Sequence, residues 1–196
     1  MTDHRLEALA RRYRSAIAGR YRAIRADDLD LIPQAPCFVS RKLDGELWLA
    51  ELHEGRAQLF ARGQRLLGDG PLLDALASVA QGCEKPLVIA GELHAPGTGG
   101  EHERVGDVVS ALARGQQKRL AYAAFDVVEV DGAPPPADYH LRLELLQRLM
   151  APGCADQLSV VPTDELREPS QLREYLKRWV ESGAAEGIVV RSSVGE

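Results

Sequence analysis

The stretch FVSRKLDGELWLAEL, Phe38 to Leu52, sets a lysine and an aspartate inside an otherwise apolar, strand-forming run, with a glycine beside them. A lysine buried in such a run is costly unless it is paired or used. Trp48, Ala50 and Leu52 alternate only weakly with Leu47, Leu49 and Glu51, which predicts a strand covered on both faces. Glu54-Gly55-Arg56 marks a turn, and AQLFARG (57–63) a strand running back.

Downstream, PLLDALASVAQG (71–82) reads as a helix that opens on proline and closes on glycine. PLVIAGELHA (86–95) is a strongly apolar strand, PGTGGEHER (96–104) an exposed loop, and VGDVVSALARG (105–115) a short helix. RLAYAAFDVVEVDG (119–132) is a long strand ending in an Asp-Gly turn. YHLRLELLQRLM (139–150) is helical and LSVVP (158–162) a brief strand. PSQLREYLKRWVESG (169–183) is a helix stopped at Gly183, and GIVVR (187–191) the last strand. Strands and helices follow one another without a regular βαβ beat. That order predicts an α+β fold with mixed or antiparallel sheets.

Upstream, His4 to Arg25 reads as one helix. At about 100° per residue, Leu6, Leu9, Tyr13, Ile17, Tyr21 and Ile24 share a face, and Arg11, Arg14, Arg22 and Arg25 another. The basic stripe is either a solvated face or one that follows phosphates. ADDLDLIPQAP (26–36) ends the helix, with prolines at 33 and 36.

With 196 residues, 45% of them hydrophobic, the chain has the size of one globular domain, or of one domain with a small appendage. It contains no run of about eighteen apolar residues, so no membrane helix is expected. The N-terminus lacks an apolar signal core, and a cytoplasmic location is expected. Cys37, Cys83 and Cys154 are odd in number and far apart, which fits reduced thiols better than disulfides or zinc. A net charge of −5 argues against a surface coated for nucleic acid and is silent on a local basic face.

Polar residues sit at the strand ends: Lys42 and Asp44, Arg62, Glu92, the pair Phe125-Asp126, and Glu186. A sheet lines a cleft with functional groups in this way. In order and context these elements resemble the covalent nucleotidyltransferase superfamily, and most closely the adenylation domain of ATP-dependent DNA ligases. KLDG resembles the family's K-x-D-G nucleophile motif, and LFARG its second, F-S-R, motif. GELHA is similar to D-G-E-L, AYAAFDVVEVDG to F-D-x-x-x-x-D-G, and EGIVVR to E-G-[IVL]-[VM]-[VL]-K. The resemblance spans about Cys37 to Arg191.

It implies the ligase nucleotidyltransferase fold, similar to ATP-grasp, with a nucleotide cleft between sheets flanked by helices. Residues 1–30 would form a basic amphipathic helix. Residues 31–196 would form the nucleotidyltransferase domain, expected to stop before the family's last lysine motif and its OB-fold domain, so that self-adenylation and sealing are weak. Lys42 would attack the α-phosphate of ATP, forming a lysine–AMP phosphoramidate. AMP would then pass to a 5′-phosphate at a strand break, for displacement by the 3′-hydroxyl. The amine must lose a proton first, which asks for a pKa lowered by roughly three units, about 4 kcal/mol. Burial around Val39 and Leu43 is expected to do this. By the same resemblance Glu92 accepts a hydrogen bond from a ribose hydroxyl, Phe125 stacks on adenine, and Arg62 holds phosphate or ribose. Glu186 places magnesium (or manganese), Gly45 allows a close backbone turn, and Asp44 and Arg191 have supporting roles. The implied substrate is nicked or broken duplex DNA in preference to RNA.

Two residues depart from the pattern. Glu46 stands where the DNA ligases usually carry an arginine that contacts nucleotide or acceptor strand, and it should repel phosphates unless it points away. Arg191 replaces a lysine and keeps the charge. The alternatives are an RNA ligase of the same superfamily and a non-catalytic module that binds nucleotides or strand ends. PGTGG lacks the lysine-serine of a P-loop. His94 and His102 with Glu101 and Glu103 could bind a metal, but loop histidines of this kind usually do not. NAD-dependent ligases need a larger domain upstream than one helix provides.

Overall fold

The computed structural model describes residues 4–17, 19, 21–24, 31–32, 36–63, 65–97, 104–150 and 156–193. Helix α1 is His4–Ala16, followed by strands β1 (Cys37–Lys42), β2 (Glu46–His53), β3 (Arg56–Ala61) and β4 (Arg65–Leu66). Next come α2 (Pro71–Ala80), β5 (Leu87–His94), α3 (Val105–Ala113), β6 (Ala121–Val130) and α4 (Tyr139–Leu149). Strands β7 (Leu158–Val160) and β8 (Thr163–Leu166), helix α5 (Leu172–Tyr175) and β9 (Gly187–Ser192) close the order.

The strands form two sheets, a six-stranded one in the order β4-β3-β2-β5-β6-β7 and a three-stranded one in the order β8-β1-β9. All neighbours are antiparallel except β6 and β7. The α+β class with mixed sheets is therefore the observed one. Local chemistry sets the turns. Glu54 and Gly55 both take positive φ (46° and 75°) at the β2–β3 hairpin, and Asp131 and Gly132 do so (55° and 74°) after β6. A two-residue turn of that hand matches the twist of its strands.

Both faces of the large sheet are covered, as the weak alternation in β2 predicts. Trp48, Ala50 and Leu52 face a core shared with Leu72 and Leu76 of α2, Val108 of α3 and Leu146 of α4. Leu49 faces the other way, packing with Phe60, Val88, Ala90 and Leu6, Leu9, Ala10 and Tyr13 of α1. In the small sheet, Cys37 and Val39 pack with Leu166 and Leu172, while Phe38 packs with Tyr139 and Leu143 of α4.

Two expectations need correction, and one strand is added. Helix α1 ends at Ala16, not near Arg25, and Tyr21 and Ile24 lie off it, 44% and 40% exposed. Gly19 lies close to the last turn, where a Cβ would stand 3.1 Å from the Arg14 carbonyl oxygen. The helix expected over 169–183 is broken into a 3₁₀ turn (Pro169–Gln171), α5, and a wider π turn (Leu176–Glu181). Strand β8, Thr-Asp-Glu-Leu, is an edge strand too polar to announce itself. Arg25, Pro33, Glu101, His102, Glu103 and Cys154 lie outside the described residues. No described helix is long and apolar enough to cross a membrane.

Candidate active site

Strand β1 carries Lys42 to the point where the two sheets meet. Its register partner on β9 is Gly187, so Glu186 arrives beside it. The Lys42 ammonium forms an ion pair with the Glu186 carboxylate. Both side chains are 48% exposed, which corrects the expectation of a buried lysine. The apolar burial of β1 runs from Cys37 to Ser40 and stops before its end, so Lys42, the last strand residue, leaves the core. Val39 and Leu43 are buried without burying Lys42.

The chain then turns at Asp44 and Gly45 into β2. A Cβ on Gly45 would stand 2.4 Å from the Leu93 carbonyl oxygen and 2.9 Å from Cγ of Glu92, so only glycine allows this approach to β5. The close passage lets the Gly45 N–H donate to the Glu92 carboxylate. Burial pushes Glu92 from 4.5 up to about 7, against the pull of Lys42 and of that N–H, and Asp44 and Glu186 push the same way as burial. Lys42, Asp44, Glu92 and Glu186 thus share one electrostatic neighbourhood, and it is acid-rich.

Glu46 points away from it. Leu47 is the register partner of Glu92, so Glu46, one residue earlier, faces the opposite side of the sheet with Trp48. There its carboxylate accepts from Nη2 of Arg65 at 2.5 Å, from Nη1 at 3.3 Å, and from the Trp48 indole N–H at 3.1 Å. Burial alone would raise this carboxyl, but Arg65 and Trp48 outweigh burial and hold it below the usual range. The Arg65 guanidinium also lies 5.1 Å from the Trp48 ring centroid.

Phe125 is partly buried beside Leu43, Ala123 and Val161. Arg191 is not gathered at Lys42. It pairs with Phe38, four positions along β9 from Gly187, and its guanidinium lies 5.0 Å from the Phe125 ring and 5.1 Å from the Tyr139 ring. Its Nη1 donates to the Phe125 carbonyl at 3.2 Å and stands 3.8 Å from Asp126. Asp126, 2% exposed, accepts from Tyr13 of α1 at 2.8 Å, from Arg142 of α4 at 2.9 Å and from the Val127 N–H at 2.9 Å. The sequence marks Asp126 only as a polar residue beside Phe125 and does not identify Tyr13 and Arg142 as its partners. The adjacent Phe-Asp pair in an apolar strand was the one available signal.

Arg62 follows β3, exposed, and lines a small cavity with Arg14, Leu47, Leu49 and Phe60. That cavity lies on the Glu92 face of the sheet, one strand away. Among the described residues no group of three or more His, Cys, Asp or Glu is placed to hold a metal ion. A groove of about 480 Å³ lies at the far end of the sheet between Arg5, His53, Arg56 and Asp131, and contains none of the expected site residues.

No family model matches the sequence, and no curated protein matches it significantly. Solved structures do. A mycobacterial DNA ligase D complexed with ATP and MES shares 20% identity and superposes with a TM-score of 0.58 over 83% of this chain and 50% of that one. A Lig E DNA ligase, described as binding DNA with a minimal scaffold, shares 21% identity, with a TM-score of 0.55 over 89% of this chain and 62% of that one. The structure named Pmar-Lig shares 14% identity, with a TM-score of 0.66 over 85% and 40%. The chain therefore has the nucleotidyltransferase fold of DNA ligase domains. It spans between about two fifths and three fifths of the length of these structures.

Proposed function

We propose that this chain is the adenylating core of an ATP-dependent polynucleotide ligase acting on nicked or broken duplex DNA in preference to RNA. The observation that carries the reading is the meeting of Lys42 with Glu186, Asp44 and Glu92 where the two sheets join, in a fold shared with DNA ligase domains. Lys42 Nζ attacks the α-phosphorus of ATP. A P–N bond forms, the bond to the bridging oxygen breaks, and pyrophosphate leaves. The ammonium proton is shed first, and the half-exposed side chain exchanges it with water. Glu186 then gives up its pairing with Lys42 and turns to the phosphate side. Glu92, poised near neutrality, hydrogen-bonds a ribose hydroxyl, Phe125 stacks on the base, and Arg62 meets phosphate. Gly45 and Asp44 hold the turn that brings Glu92 and Lys42 together, and Arg191 backs the Phe125 ring.

Magnesium or manganese, when bound, neutralises charge at the phosphates. Glu186 would hold it together with phosphate oxygens and water, a donor set that needs no three-residue protein cluster. AMP on Lys42 is passed to a 5′-phosphate, and the neighbouring 3′-hydroxyl displaces it. Glu46, with its negative charge paired to Arg65, does not stand against phosphates at the site.

The test is incubation with magnesium and α-labelled ATP, followed by denaturing gel. An acid-labile labelled adduct that Lys42→Ala abolishes is expected. A folded chain that binds ATP yet forms no adduct belongs instead to the non-catalytic binding class. Comparing transfer of AMP to nicked DNA and to nicked RNA duplexes then decides the substrate.

A further inference from the structure

The basic helix α1 is absorbed by none of the chemistry above, and its arginines are not alike. Arg5 reaches Glu51 and Glu129, Arg12 lies 3.8 Å from Glu129, and Arg11 donates to Glu7 at 2.8 Å. These three of the four arginines of α1 are paired with carboxylates. Arg14 has no salt bridge among the described residues. It lines, together with Arg62, a small cavity of about 20 Å³ whose other lining residues, Ala10, Leu47, Leu49, Phe60 and Ala61, are apolar. Arg62 likewise has no salt bridge among the described residues.

Like charges gathered at one apolar floor repel, and the described residues that line the cavity include no carboxylate to offset them. An anion between them would. The last-turn position of Arg14 also meets the negative end of the helix, but that effect is small and gives no reason for Arg62 to be there. Leu47, part of the floor, is the register partner of Glu92, so the arginine pair lies on the same sheet face as Glu92, one strand along.

We propose that Arg14 and Arg62 form a two-arginine clamp for a phosphate group of the substrate, with the N-terminal helix supplying one jaw. The inference rests on the ligase reading for what the phosphate belongs to, either the nucleotide's phosphate tail or the strand being sealed. It does not rest on that reading for the binding itself.

The experiment compares the wild type with Arg14→Ala, Arg14→Gln, Arg62→Ala and, as a control on the same helix, Arg11→Ala. Inorganic tripolyphosphate is titrated by calorimetry, the KM for ATP is read from adduct formation, and nicked-duplex affinity is measured across a salt series. Loss of either clamp arginine should weaken tripolyphosphate binding roughly tenfold, the cost of one charge-assisted hydrogen bond. Arg11→Ala should leave it unchanged. A rise in KM for ATP assigns the phosphate to the nucleotide. A fall of about one in the salt slope of duplex binding assigns it to the strand. Because both arginines grip one group, the double variant should lose less than the product of the single losses. Unchanged binding in Arg14→Ala and Arg14→Gln, or an equal loss in Arg11→Ala, overturns the clamp. Absence of adduct in the wild type would sink the ligase reading and leave the tripolyphosphate result to decide the clamp alone.

Discussion

Two clusters of opposite charges lie where the sheets and α1 meet, and they differ in burial. Around Asp126, the charges of Arg142 and Arg191 are sealed in, each guanidinium side chain only 12% exposed, with Tyr13 and the Phe125 carbonyl completing the partners. Around Lys42 the same kinds of group stay half in water, and one carboxylate, Glu92, is held near neutrality. A buried cluster is expensive to take apart because every member left behind is uncompensated. An exposed ion pair contributes little and is readily exchanged for another partner. The first arrangement suits a clamp that locks α1, α4, β6 and β9 together. The second suits groups that must change partners during a reaction.

The largest contrast is expected from Lys42→Ala. Adduct formation should fall to background while unfolding stability changes by less than about 1 kcal/mol, the range of an exposed pair. A loss of several kcal/mol, read by urea unfolding, would move Lys42 into the structural class. Asp126→Ala should do the converse, costing about 3–5 kcal/mol by stranding two buried arginines. A mild effect there would show that water reaches the cluster.

Glu92→Gln should give a smaller and pH-dependent change. The folded carboxyl is raised from 4.5 to about 7, so the native state keeps its proton to higher pH than the unfolded chain. Native stability is therefore fully present below about pH 4.5 and is lost as pH rises through 7. The glutamine variant should match the wild type at pH 4.5 and exceed it by roughly 1–3 kcal/mol at pH 8. A gap that is constant with pH would contradict the placement of Glu92. The smallest effect is expected from Glu46→Ala, about 1 kcal/mol from the lost Arg65 and Trp48 hydrogen bonds, with adduct formation unchanged because Glu46 faces away from Lys42.

Much of the fold was legible because strand ends and turns are local. Asp131-Gly132 and Glu54-Gly55 announce their turns, and the bilateral burial of β2 follows from its broken alternation. The direction of Glu46 was legible too, since residues two apart share a face and Trp48 is an obvious core residue. Its partner was not, because Arg65 reaches it only through the β3–β4 register. The Asp126 cluster was illegible for the same reason, with Tyr13 lying 113 residues away in sequence. Lys42 was misread because an apolar run does not say on which residue the core ends. Helix α1 was overextended because an apolar periodicity of 3.6 can continue past the point where the helix ends.

The central claim is that Lys42, and not another exposed amine, carries the chemistry. Its most direct test is intact mass and peptide mapping after incubation with ATP and magnesium. The account predicts a single site of AMP attachment, in low yield, released by acid and mapped to the peptide containing Lys42. AMP on a different residue, or a folded, ATP-binding chain that stays unmodified, would contradict it.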